Sequence, residues 1–413
     1  MTTNGPSSPL TGPNLRTLHR DLAAAQDDQI HRVLTIIDDL AERGDADKLI
    51  APLRGRIAEL RPRRKLSLAR LLFTPFNPLI VDAASWSAAA PSIPRTAILP
   101  LAGQVRDGLG AAAAQMDAMA ALHSSTDGIG ELVEIGGKLW PTAAIILADV
   151  PMPANWTAKT GLRERDHAAL ASAVSSVLAQ ALPLLRVVAS AMAGTTPEPE
   201  ELHALLEAVA PAGAQTLAMM IALAMGWLPR SELLIQVVDD FARRHADPAV
   251  GATVDRAVDF VLTRIEQSPL PSTDLTTAAV EARQIAIMLG DLMLCSAQRP
   301  RRRNRVEQVR RELDTACRKR FAIEVETQLV APSTGIAAAE DDTIEALEAA
   351  ARGLRRFEGA ARQIGSAEQY DQQLQRAAEA LRPKPEEDAV ARVSRIRLVE
   401  ILRGSDAAVA MLK

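Results

Sequence analysis

Aromatic residues are scarce in this chain. They make up 3% of its 413 residues, and Tyr370 is the single tyrosine. Proteins that stack bases or sugars present exposed aromatic platforms, so a stacking reader of nucleic acid or carbohydrate is not expected. Cysteine is scarcer still. Cys295 and Cys317 are the only two, too far apart for a paired metal motif. They exclude a disulfide framework and a zinc knuckle, and two reduced thiols in a cytoplasmic protein are expected. A long apolar run is also missing. The best stretch, residues 208–229, is uncharged but contains Pro211, Gly213 and Gln215, so its apolar part shrinks to Leu217 through Leu228. A membrane span needs about 20 apolar residues, so a buried core helix is expected and no membrane span. The formal net charge of −4 creates no global field that would draw the chain to nucleic acid or an anionic surface.

Catalytic motifs are missing too. The six histidines (His19, His31, His123, His167, His203 and His245) include no pair at i+3 or i+4, the spacing that points two imidazoles at one ion from a helix. Glu201 and His203 are two apart and fail the E-x-x-H test of di-metal bundles. The stretch DGIGELVEIGGKL, from Asp127, invites a phosphate reading, but Leu139 follows Gly137-Lys138 and Leu132 stands where a P-loop needs glycine. A glycine-rich helix junction is the expectation there. No G-x-S-x-G elbow occurs. No catalytic, cofactor-binding or metal-binding residue is therefore assigned, and no cofactor is expected.

What is present is helical periodicity. Hydrophobic residues are 48% of the chain and charged residues 24%, ordinary for a globular protein. The periodicity predicts an all-α fold: an irregular multi-helix array, open to solenoid-like stacking, with a small C-terminal helical bundle. Residues 1–13 carry Pro, Gly, Ser and Thr and no apolar run, and are expected to be a disordered lead-in. Residues 14–61 carry two apolar stripes separated at Gly44-Asp45, a helical hairpin. Residues 62–100 hold Pro75, Pro78, Pro91, Pro94 and Pro100 and read as a connection. Residues 101–330 form the main helical body, ending in a basic helix. Thr196 and Pro197 before three glutamates predict a helix start, as do Ser231, Asp247-Pro248 and Asp274. A helix over 164–192 is expected to kink at Pro183. Val325 to Val330 is the nearest thing to a strand. Residues 338–413 predict a three-helix bundle of roughly 75 residues, near the lower limit of independent stability. A capping box at Ser366 and Gln369 opens its second helix.

Two stretches concentrate charge. RPRRRNRVEQVRRELDTACRKRF, starting at Arg299, carries ten basic residues against three acids. Arginine forks bind phosphate and carboxylate bidentately, so Arg301, Arg302, Arg303, Arg305, Arg310 and Arg311 are candidate anion- or partner-binding residues. Arg301 to Arg303 read as a frayed arm, with Val306, Val309, Leu313, Ala316 and Arg320 along one side of the helix that follows. The bland alternative is a solvated helix whose arginines pair with acids on neighbouring helices. Forty of the 47 basic residues are arginine, which suits a GC-rich, bacterial type of coding sequence in which arginine serves wherever a cation will do.

The second stretch is RPRRKLSLARLLFTPFNPLIV, starting at Arg61. Arg63, Arg64, Lys65, Phe73 and Phe76 are its candidate docking residues, and the basic context also makes Ser67 a weak phosphorylation site. Exposing two phenylalanines in so aromatic-poor a chain is costly. The favoured reading is a structural clasp, in which Phe73 and Phe76 dock the N-terminal hairpin on the body while Arg61 to Lys65 stay wet. Together these features predict a cytoplasmic, non-enzymatic helical interaction or scaffold protein with a protein partner. The alternative is a nucleic-acid-associated protein gripping phosphates through residues 299–320. A second alternative is an enzyme whose site only the fold reveals.

Overall fold

The computed structural model describes residues 25–26, 29–30, 32–33, 65–123, 128–267, 270, 274–297, 299–334, 336, 341–365, 367–384 and 387–411. The chain divides into two compact units. One joins residues 1–66 with 120–127, and the other joins 67–119 with 128–413. In the first, Ile30 is buried and the Leu66 N–H donates to the His123 carbonyl at 2.9 Å. Most of the expected hairpin over 14–61 lies outside the described residues, as do Arg63 and Arg64. The second unit holds the rest of the described residues.

This unit is all-α. The proline-rich connection is itself folded. Helix α1 (Leu68–Phe73) is capped by Ser67, whose side chain accepts from the Arg70 N–H. A 3-10 helix follows (Thr74–Leu79), with Pro75 in its first turn. Two-residue strands β1 (Ile80–Val81) and β2 (Ile93–Pro94) pair in parallel, Ile80 opposite Ile93. This pair is a correction to a reading with no convincing strand. Prolines here do not break structure because 3-10 and extended backbone tolerate the fixed φ.

Most of segment 71–80 sits in the core, with Asn77 exposed and Pro78 and Ile80 half-buried. Phe73 and Phe76 are 2% and 0% exposed, with ring centroids 5.8 Å apart. Their role as surface docking residues is thereby corrected: burial leaves neither ring to a partner. Whether they clasp the hairpin lies outside the described residues. Prolines and a 3-10 turn leave backbone carbonyls without helical donors, and side chains from other helices supply them. The Trp140 indole donates to the Leu71 carbonyl at 3.0 Å, and the Trp227 indole donates to that of Pro75 at 2.7 Å. The Arg264 guanidinium donates to the carbonyls of Pro78 and Ile80. Burial lowers the pKa of that guanidinium.

Helices α2 (Arg95–Leu109) and α3 (Ala112–Ala120) are separated at Gly110, whose φ of +55° favours glycine. Helix α4 (Ile129–Ala148) takes in the glycine-rich stretch from Ile129 onward, with Gly128 at its N-cap, so Gly136 and Gly137 lie mid-helix rather than at a junction. Gly136 is needed there, because a Cβ would overlap the Trp140 indole one turn on. Next come α5 (Trp156–Thr160), α6 (Glu164–Ala179) and α7 (Ala181–Met192). The break between α6 and α7, a 52° bend, falls at Gln180 rather than at Pro183. Proline lacks only an N–H, so it settles inside the first turn of α7, where that group has no helical partner anyway.

Helix α8 (Pro199–Val209) starts two residues later than Thr196-Pro197 suggests. Glu198 is its cap, in a reciprocal capping box with Glu201. Helix α9 (Ala214–Trp227) is buried without a break from Thr216 to Met225, and packs against α6, α8 and the 3-10 segment. An all-round apolar helix belongs in such a place. Among the described residues no single helix is long and apolar enough to cross a membrane; α6 and α7 reach that length and apolarity only as a bent pair.

Helix α10 (Glu232–His245) is capped from outside. The Asp291 carboxylate accepts from the Ser231 and Glu232 N–H groups at 2.9 and 3.2 Å and pairs with Arg230. Helices α11 (Pro248–Gln267) and α12 (Leu275–Cys295) open on Asp247 and Asp274, whose side chains accept from the first turn. The long α13 (Pro300–Val325) continues as a π turn (Glu326–Val330), so that segment is no strand.

The C-terminal helices are α14 (Asp341–Ala361), α15 (Ala367–Ala380), α16 (Ala389–Arg403) and the short α17 (Ser405–Ala410). They belong to the same compact unit as the body. The apolar stripe of α14 (Leu347, Ala351, Leu354, Phe357 and Ala361) is buried, and this helix packs on α12, α13 and α16. A bundle of this size buries little area alone, and α12 and α13 add to it by packing on α14.

Gly136→Ala should destabilise the protein by about 1–3 kcal/mol through overpacking against Trp140. Gly103→Ala, where a Cβ meets nothing within 4 Å, should be neutral or stabilise by up to about 1 kcal/mol. Urea unfolding of the two variants checks the contrast.

Candidate functional site

The basic segment begins as helix, not as an arm. Pro300 sits at the first position of α13, where its fixed φ suits the helix and its missing N–H costs nothing. From there the buried stripe is Arg302, Val306, Val309, Leu313, Cys317, Phe321 and Val325. Ala316 and Arg320, expected on that face, are half-buried at its edge, because a 3.6-residue period carries the stripe to Cys317 and Phe321. Arg302 thus holds a core position, and its side chain is only 4% exposed.

A buried guanidinium needs partners. Arg302 donates through Nη1 to Asp239 of α10 at 3.2 Å and through Nη2 to Asp255 of α11 at 2.8 Å. Its Nε is buried with no acceptor. Arg299 approaches the same two carboxylates, at 3.0 Å from Asp239 and 3.6 Å from Asp255. Two arginines and two aspartates therefore knot α10, α11 and the start of α13 together.

One turn on, Arg305 makes a bidentate pair with Glu266, at 2.9 and 2.7 Å, and reaches Asp259 at 3.2 Å. The hydrogen bonds from Arg305 pull the Glu266 carboxyl down to about 2, and the same pairing raises the pKa of Arg305.

The remaining candidates differ. Arg303 is exposed and pairs with Glu307 on its own helix at 3.1 Å. Arg310 donates to the Ile364 and Gln363 carbonyls at the end of α14. Arg318 and Arg320 pair along α13 with Asp314 and Glu324. Arg301 and Arg311 are exposed, as is Lys319, and none of the three has an ion pair among the described residues. Of the second set of candidates Lys65 is exposed.

Around Arg301 the surface opens into a cleft of about 650 Å³ between α11 and α13. Val258 and Leu262 line it together with Pro300; Arg299, Arg301, Arg302 and Arg305 face Asp255 and Asp259 across it. A volume of this order suits a drug-sized ligand or a few side chains.

The carboxylate half of this site was missed in the sequence. Asp255, Asp259 and Glu266 share one side of α11 at i, i+4 and i+11, a stripe that answers the arginines of α13 at 299, 302 and 305. Matching stripes of opposite charge on neighbouring helices are the signal that was there to use.

His167, His203 and His245 are each engaged within the protein. His167 is buried, lies edge-on to Trp156 and meets the Gln104 side chain at 3.2 Å; burial lowers its pKa. His203 and His245 of α8 and α10 face Asp240 and Glu207 at 3.3 and 3.6 Å. Among the described residues no three His, Cys, Asp or Glu side chains gather where a metal could bind. Cys295 and Cys317 are free thiols, and burial pushes Cys317 up to about 12.

Compared with known protein families, curated proteins and solved structures, the chain matches none.

The Glu266 pairing sets a pH dependence. A carboxyl lowered in the folded state stabilises above its unfolded value of 4.5, and the contribution is lost as pH falls toward about 2. The stability gap between wild type and Glu266→Gln should therefore be constant near neutral pH and close below about pH 4.5. Urea midpoints measured across that range check it.

Proposed function

We propose that the protein is a non-enzymatic helical interaction protein that docks a protein partner at the cleft between α11 and α13. The observation that carries this reading is the composition of the cleft. It joins an apolar floor at Val258 and Leu262 to a rim of fixed charges and one uncommitted guanidinium, Arg301. Docking surfaces use this combination: apolar contact for affinity, and charges locked by their neighbours for orientation.

A nucleic-acid reading has less support from the same residues. Seven of the ten basic residues of the segment are held by carboxylates or carbonyls within the protein. Arg301, Arg311 and Lys319 are left, and Asp255 and Asp259 at the cleft oppose a phosphate chain. Strong non-specific binding to duplexes draws on about six to ten phosphate contacts.

A photo-cross-linking residue placed at Arg301 in the native cell should trap a discrete protein adduct that the same residue at exposed Glu131 does not. Mass spectrometry identifies the adduct. No adduct from position 301, or the same adducts from both positions, would remove the reading.

A further inference from the structure

We propose that the occupant of the α11–α13 cleft is an acidic, leucine-type peptide segment, with a carboxylate held at the start of α13 and an apolar side chain on Val258 and Leu262. The inference rests on the docking reading above and names its partner chemistry. Three observations favour an anion. First, α13 opens with Arg299, Arg301, Arg302 and Arg303 and has no acid in its first turn. Helix dipoles place positive potential at this end, so cations here are held against the dipole, and an anion relieves the conflict. Second, among the described residues no side chain caps α13. Pro300 has no N–H, which leaves those of Arg301 and Arg302, the second and third residues of a 26-residue helix, without a helical or side-chain acceptor among them. Third, Arg301 is exposed at the cleft and has no ion pair among the described residues, while the Nε of Arg302 lies buried in the cleft wall without an acceptor among them.

The nature of the anion follows from what surrounds it. Asp255 and Asp259 line the same cleft, and their carboxylates repel a polyanion while leaving room for a single charge flanked by neutral groups. No aromatic side chain lines the cleft, so it offers no platform on which a base could stack. The floor is aliphatic, and Val258 and Leu262 each lie three positions after an acid, Asp255 and Asp259, on the same helix. An occupant must therefore present a carboxylate and an aliphatic group within a few ångströms of each other. A Glu or Asp next to Leu in a peptide does so, and about 650 Å³ takes two or three such side chains.

A random peptide library displayed on phage and panned on the full-length protein tests this. Enriched sequences are then synthesised and their affinities measured by fluorescence anisotropy against wild type, Arg301→Glu and Arg301→Ala. The expected result is enrichment of sequences with Glu or Asp beside Leu, and affinity reduced about tenfold or more by Arg301→Glu and less by Arg301→Ala. Arg301 is exposed, so both variants should keep the wild-type unfolding midpoint; Arg301→Ala carries the test if the charge reversal does not. Enriched peptides that are basic or purely apolar yet still depend on Arg301 would overturn the acidic partner and leave the docking site standing. Peptides indifferent to both substitutions would overturn both. A labelled single-stranded DNA that binds more tightly than every peptide and loses that affinity in Arg301→Glu would also overturn the proposal.

Discussion

Backbone carbonyls that no helix can satisfy are the constraint on which this fold turns. Residues 71–80 run through the core as one helical turn, a 3-10 turn and a strand fragment, with prolines at 75 and 78. An unpaired buried carbonyl costs about 1–3 kcal/mol, so several left unpaired would offset much of the stability of an ordinary domain. Three helices each send one donor: Trp140 from α4, Trp227 from α9 and Arg264 from α11. A further bond, from the Trp86 indole to the Ser92 carbonyl, closes the loop after it. In a chain with four tryptophans, three of the indoles are used this way. The segment in turn fixes the neighbours that supply its donors, and Pro78 fits against Gly226 of α9 where a Cβ would overlap it.

The same accounting governs the charges. Arg302 occupies a core position and holds α10 and α11 through Asp239 and Asp255. Asp291 is buried and satisfies the open end of α10. Arg395 is buried against Glu387 and the Ser333 carbonyl, where it secures α16. Each is a polar residue at a helix junction, and each leaves an uncompensated buried charge if its partner is removed. The arginine-rich look of the segment after residue 299 is thus largely structural. What this internal pairing does not use is Arg301, the start of α13 and the aliphatic floor beside them.

How much of this was legible beforehand depended on the kind of interaction. Helices with one apolar stripe, such as α11 and α14, could be read from spacing, because a 3.6-residue period is a local property. The core placement of α9 followed from its uniform apolarity. Interactions between distant residues could not be read the same way. Nothing near Leu71 announces that Trp140 lies over its carbonyl, and nothing near Ser231 names Asp291 as its cap, because both depend on which helices become neighbours. Arg302 was misread for the same reason. Taken alone, an arginine in a run of arginines looks like solvent; beside Asp239 and Asp255 it becomes core. The acidic stripe of α11 was visible as spacing, and its meaning required the opposing stripe of α13 to be recognised as its partner.

Hydrogen exchange at the tryptophan indoles, followed by NMR and assigned with single Trp→Phe variants, tests the central account most directly. If the proline-rich segment is held in the core by these donors, the Nε1–H groups of Trp140 and Trp227 exchange only when the unit unfolds globally. Exchange of either indole at rates near those of free tryptophan, under conditions where the helices stay folded, would contradict it.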